Sequence, residues 1–73
     1  MDEKVVIKED YIRLDAFLKL CGAMSTGGMA KLVIQDGHAE VNGEVCLQRG
    51  RKIRPGDTVT FHGESYVCDK AEL

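Results

Sequence analysis

Apolar and polar positions along this chain change period twice, and each change marks an element. Val5, Val6 and Ile7 form an apolar run closed by Glu9-Asp10, which predicts a short strand at the amino end. The spacing then becomes helical. Ile12, Leu14, Phe17, Leu18 and Cys21 fall on one side of a 3.6-residue repeat, with Arg13, Asp15 and Lys19 on the other. A first helix is therefore expected from about Tyr11 to Cys21, stopped by Gly22. Asp15 precedes Lys19 by four positions, the order that supports an exposed ion pair. Ser25 or Thr26 is placed to cap a second helix. Ala30, Val33 and Ile34 form its inward stripe, Lys31 and Gln35 face outward, and Asp36-Gly37 supplies a left-handed exit.

The period then shortens to two. His38 to Val41, the turn dipeptide Asn42-Gly43, and Glu44 to Leu47 predict a hairpin. A two-residue turn would pair Val41 with Glu44 and divide the apolar residues between both faces. A three-residue loop with a bulge would pair Ala39 with Val45, and the burial pattern favours that second arrangement. Arg54-Pro55-Gly56-Asp57 carries Pro then Gly at the central positions of a type II turn. The strand Thr58 to His62 follows, and Gly63-Glu64 reads as a type II′ turn. That turn would pair Phe61 with Tyr66 and Val59 with Cys68, placing all four on one face. The expected class is α+β, with two helices packed on a small, twisted, mainly antiparallel sheet.

A length of 73 residues makes one domain spanning 1–73, near the lower limit at which an apolar core suffices without metal or disulfide. No apolar run is long enough for a membrane span, and Met1-Asp2-Glu3-Lys4 has no apolar segment of signal-peptide type behind it. The expectation is a cytoplasmic protein. Cys21, Cys46 and Cys68 match neither a paired disulfide framework nor zinc-ligand spacing, so they read as reduced, packed residues. His38 and His62 read as separate surface strand residues rather than a metal pair. No metal or cofactor is expected. No Ser/His/Asp or Cys/His arrangement is visible, and so small a chain offers little concave volume, so an enzyme is not expected either.

Charge changes this ordinary picture. Arg49-Gly50-Arg51-Lys52-Ile53-Arg54 places four cations in six residues, within a chain of formal net charge −2. Residues 13–54 hold seven Lys/Arg against four acids, a net of +3, whereas the two ends hold three cations against eight acids, a net of −5. A modest total thus conceals a bipolar molecule, and the local field is what attracts a polyanion. Residues 48 to 54 connect the two hairpins as a loop free to follow a phosphate backbone, with Ile53 as its apolar anchor. Ser25-Thr26-Gly27-Gly28 opens the second helix, where backbone N–H groups and the positive dipole end suit phosphate. Tyr11, Phe17, Phe61 and Tyr66 are the aromatic residues. Phe17 and Phe61 are assigned to the core, and no aromatic platform for unpaired bases is apparent. Recognition by shape and phosphate is expected, on folded or duplex RNA.

Several of these pieces stand in the order found in one family. Arg13-Leu14-Asp15 opens the first helix, Ser25-Thr26 precedes the second, and Ala30 lies inside it. Gly37-His38, Val41-Asn42-Gly43 and Pro55-Gly56-Asp57 follow. Together they resemble the ribosomal protein S-4 type RNA-binding domain, or alpha-L motif, over a core of about 12–61. Phe17-Leu18-Lys19-Leu20, Gly27-Gly28-Met29-Ala30-Lys31 and Arg49-Gly50-Arg51-Lys52-Ile53 resemble its small stand-alone YaaA-like and YbcJ-like members.

The resemblance implies a non-catalytic RNA-binding module for structured RNA, in particular ribosomal RNA or ribosomal particles, with a role in ribosome assembly. The contacts it implies are Arg13, Lys19, Lys31, Arg49, Arg51 and Lys52, to which the helix-start chemistry adds Ser25, Thr26, Gly27 and Gly28. Larger members carry arginine where this chain has Gly27, so backbone N–H groups of Gly27 and Gly28 take that part. A second reading is an adaptor for a protein of ribosome assembly or RNA processing, held by the acidic ends or the small sheet.

Overall fold

Leu14, Phe17 and Leu18 are fully buried in one apolar interior, and the remaining elements are arranged around them. In a computed structural model, which describes residues 2–24 and 26–71, the described residues form two helices, a five-stranded sheet and a two-stranded ribbon. In chain order these are β1 (Asp2–Ile7), β2 (Ile12–Arg13), α1 (Leu14–Leu20), α2 (Gly27–Gln35), β3 (Ala39–Val41), β4 (Glu44–Val45), β5 (Lys52–Ile53), β6 (Thr58–Phe61) and β7 (Glu64–Lys70). The large sheet runs β1-β7-β6-β3-β4, and β2 pairs with β5. The class is the α+β arrangement expected from the pattern.

Alternation explains which face of the sheet is covered. Val5 and Ile7, Ala39 and Val41, Val59 and Phe61, and Tyr66 and Cys68 are the buried members of their strands. They meet Leu14, Phe17 and Leu18 of α1 and Ala30 and Ile34 of α2 in a single cluster. Burying a Leu or Phe side chain is worth about 1.5–3 kcal/mol, so this cluster is what holds so short a chain together. β1 joins the sheet parallel to β7, from Asp2 opposite Ser65 to Ile7 opposite Lys70, while the other described pairings in the sheet are antiparallel.

The first helix begins later than its periodicity suggests. Ile12 and Arg13 are extended, opposite Ile53 and Lys52, and the helix starts at Leu14. Strand pairing has taken two residues whose apolar spacing alone continues the helical stripe. Gly22 ends this helix in the left-handed region at φ +82°. Asp15 pairs with Arg13 at 3.3 Å and not with Lys19, because the extended Arg13 reaches it first. Thr26 caps α2, its Oγ1 accepting from the Met29 amide at 3.2 Å. Ser25, the other candidate cap, lies outside the described residues.

Both hairpin registers differ from expectation, for one reason. Asn42 and Gly43 hold φ at 53° and 86°, and His62 and Gly63 at 50° and 80°. Two successive positive φ values make a two-residue type I′ turn, whose twist suits adjoining antiparallel strands. The first hairpin therefore pairs Val41 with Glu44 and Glu40 with Val45, not Ala39 with Val45. The division of apolar residues follows: Cys46 is buried while Val45 is 58% exposed. The second turn is His62-Gly63, not Gly63-Glu64, and Val59 pairs with Tyr66. This displacement is of two residues, which preserves the face, so Val59, Phe61, Tyr66 and Cys68 remain buried together. His38 and His62 also turn out to be neighbours, with ring centroids 5.3 Å apart, because Ala39 pairs with Phe61.

Candidate nucleic-acid interface

The start of α1 is built from the basic segment. Its N-cap residue, Arg13, makes no side-chain capping bond. The orphan amides of the first turn are satisfied from across the fold. Leu14 donates to the Arg51 carbonyl at 2.8 Å and Asp15 to the Arg49 carbonyl at 3.1 Å. Adjacent to these bonds, β2 and β5 place Arg13 directly opposite Lys52. Ile53 is fully buried and acts as the anchor its apolar character suggests. Residues 48–54 are thus a pinned segment containing a two-residue strand, rather than a free loop. The side chains of Arg49, Arg51 and Lys52 remain exposed.

The type II turn closes the segment. Asp57 donates its amide to the Arg54 carbonyl at 2.9 Å, and Gly56 takes φ +98°. A second set of bonds ties this turn to the Asn42-Gly43 turn. Asn42 donates from Nδ2 to Asp57 Oδ1 at 3.1 Å and accepts from the Thr58 amide at 2.9 Å. Two motifs separated by a dozen residues are therefore one structural unit, and it fixes where the basic segment leaves the sheet.

Like charges directly opposite one another on paired strands repel. Here each has a local compensation. Arg13 lies 3.3 Å from Asp15, and Lys52 Nζ lies 4.9 Å from the centroid of the Tyr11 ring. Among the described residues Lys19, Lys31, Arg49, Arg51, Lys52 and Arg54 enter no ion pair. The remaining carboxylate and cation pairs, Lys4 with Asp69 and Lys70 with Asp10, lie on the acidic termini. Cations left unneutralised on one segment create a local positive field.

Four of the sequence-predicted cations are brought together: Arg13, Arg49, Arg51 and Lys52. Lys19 lies at the end of α1 beside Ile12, Ala16 and Leu20. Lys31 is exposed on α2, and among the described residues no hydrogen bond or ion pair joins that helix to the basic segment. Thr26 occupies the α2 cap, followed by Gly27 and Gly28 in the first turn. Tyr11 is the residue that sequence reasoning passed over. Its signal is faint: an exposed aromatic two positions before Arg13, which acquires meaning only once β5 brings Lys52 against it.

The comparisons with known proteins bear on this same stretch. The family model described as S4 domain matches residues 5–68. The chain belongs to the S4 domain family. Among its relatives is the Bacillus subtilis (strain 168) protein named "Probable ribosome maturation protein RlbA", 38% identical over 63 residues, covering 86% of this chain and 89% of that one. Another is the Escherichia coli (strain K12) protein named "Putative RNA-binding protein YbcJ", 38% identical over 58 residues, covering 80% and 83%. The resemblance drawn from the motif residues is therefore to the right family and the right small members. In this S4 domain, Arg13-Leu14-Asp15 spans the junction of β2 with α1, and Val41-Asn42-Gly43 and Pro55-Gly56-Asp57 form the two linked turns.

Proposed function

We propose that the whole chain acts as one non-catalytic RNA-binding domain that docks structured RNA, specifically ribosomal RNA, in ribosome assembly in the cytoplasm. Its contact surface comprises Arg13, Arg49, Arg51 and Lys52, extended by Lys19 and Lys31 and by the start of α2 from Ser25 to Gly28. One observation carries the reading. The β2–β5 pairing and the two amide bonds from α1 hold Arg13 opposite Lys52, with Arg49 and Arg51 exposed beside them and, among the described residues, no carboxylate paired to those two. Membership of the S4 domain family and the names of the two relatives support it. A cationic strip of this kind grips phosphates and releases their counterions, so affinity must depend on salt.

The test is a salt titration of binding to a structured ribosomal RNA fragment. With about five phosphates neutralised, log K falls against log salt with a slope of about −4 to −5. Arg51→Ala and Lys52→Ala each weaken binding to unrelated RNA hairpins by similar factors, since phosphate contacts carry no sequence information. A slope near zero refutes the proposal.

A second reading, a protein adaptor, draws on Val45 and Leu47. They are 58% and 57% exposed, and both approach Gly37 at the exit of α2. A partner retained by the wild type after nuclease treatment, and lost on Val45→Ser with Leu47→Ser, would favour it.

A further inference from the structure

The basic segment adjoins an apolar surface for which phosphates have no use. An open groove of about 510 Å³ runs between the end of β1 and α1, lined by Val6, Ile7, Tyr11, Ile12, Ala16 and Leu20. Three of these are large and exposed: Val6 at 51%, Tyr11 at 44% and Leu20 at 54%. Lys8 and Arg13 also line it, against a single acid, Glu9, and Lys19 borders its continuation along Ile12, Ala16 and Leu20. Tyr11 belongs to both regions. It forms part of the groove wall, and its ring carries Lys52 Nζ 4.9 Å from the centroid, one residue from Arg51.

We infer that this groove receives an unpaired nucleobase of the bound RNA, with Tyr11 as the stacking residue, a specificity that rests on the RNA-binding reading and extends it. The occupant follows from the chemistry of the walls and the charge beside them. A base presents an apolar face to aliphatic and aromatic side chains and keeps its polar edge toward solvent, which an open groove permits. A phosphate chain held by Arg13, Arg51 and Lys52 lies against the wall of the groove, so its attached base needs no further anchor. Lys52 covers a face of the Tyr11 ring and orients it, so less side-chain freedom is lost when a base arrives. A base inside a duplex cannot leave its stack without cost, so the preferred RNA carries a bulge or loop nucleotide beside a helical stem. Aliphatic walls with one aromatic residue offer stacking and few donors or acceptors, so the groove selects for an unpaired base more than for its identity.

The test compares a perfectly paired RNA hairpin with four versions that each carry one bulged nucleotide, A, C, G or U, by fluorescence anisotropy at fixed salt. Expected is a preference for bulged over perfect hairpin. In Tyr11→Ala, affinity for the bulged hairpins drops by about 5- to 150-fold, the range for loss of one base–aromatic stack, while affinity for the perfect hairpin falls far less. Tyr11→Phe retains the preference. The chain has no tryptophan, so Tyr11→Trp supplies a single reporter whose emission is quenched when a base stacks on it. That arm decides the matter should Tyr11→Ala fail to fold.

Equal affinity of the wild type for all five hairpins overturns the inference while leaving RNA binding intact. So does an equal loss on every RNA in Tyr11→Ala, no loss on any of them, or an unquenched Trp in a variant that still binds. The last two results are what a groove reserved for a protein segment would give. Failure of the wild type to bind any hairpin overturns the RNA-binding reading itself.

Discussion

Asn42 holds a backbone conformation that L residues avoid, with φ at 53°, and its side chain makes two hydrogen bonds, one to Asp57 and one to Thr58. Its amide also donates to the Thr58 carbonyl at 2.7 Å. Asn42→Ala removes both side-chain bonds and leaves a Cβ residue in the left-handed region, so unfolding free energy should fall by about 2 kcal/mol in urea titration. Asn42→Gly keeps the conformation and should lose about 1 kcal/mol. The cysteines give a second residue-scale expectation. Burial pushes the Cys21 and Cys68 thiols up from their ordinary range, which holds them protonated at neutral pH. Cys21 is half-buried where Cys46 and Cys68 are buried. Alkylation of the native protein followed by mass spectrometry should therefore modify Cys21 first, slowly at pH 7 and faster as pH rises through its elevated pKa.

Among the elements, the β2–β5 ribbon is the smallest and the one on which the candidate interface depends. It comprises two residue pairs, Ile12 with Ile53 and Arg13 with Lys52. So short a ribbon is not stable by itself, and its hold comes from the burial of Ile53. Ile53→Ala should cost about 3 kcal/mol of stability. It should also speed hydrogen exchange at the Leu14 and Asp15 amides, which donate to the basic segment, more than at the amides of β6 and β7. The two I′ turns teach a related lesson. Asn42-Gly43 announces its turn type in sequence, and the two-residue register it favours leaves Val45 exposed. His62 at positive φ could not be foreseen as easily, because histidine visits that region less readily than glycine.

At the scale of the whole molecule, ion pairs join the two acidic ends of the chain to one another. Lys70 Nζ lies 2.7 Å from Asp10 Oδ1, and Lys4 lies 3.6 Å from Asp69, pairing the flanks of β1 with β7. The hydrogen bond and charge of Lys70 lower the Asp10 pKa below its ordinary value. A carboxyl with a depressed folded-state pKa contributes stability above its unfolded pKa and loses it as pH falls through the folded value. Wild type and Asp10→Asn should therefore differ in thermal midpoint at neutral pH and converge as pH falls below the depressed pKa of Asp10. The difference should be small and shrink with added salt, because both side chains are largely exposed.

Periodicity and turn chemistry were enough for the class of fold, the existence of both helices, the Pro-Gly turn and a basic segment anchored at Ile53, while the order of the motif residues carried the resemblance to the family. Those properties are local, written in the spacing of neighbouring residues and in the backbone preferences of Gly, Pro and Asn. Where β1 sits, which residue opposes which across the hairpins, and what caps α1 were settled by the tertiary structure, since each depends on partners far along the chain. The same holds for Tyr11, whose place beside Lys52 and the groove exists only after Ile12–Arg13 gives up helix for strand. Local rules set what each segment can be, and the shared burial of one interior sets which of those options coexist.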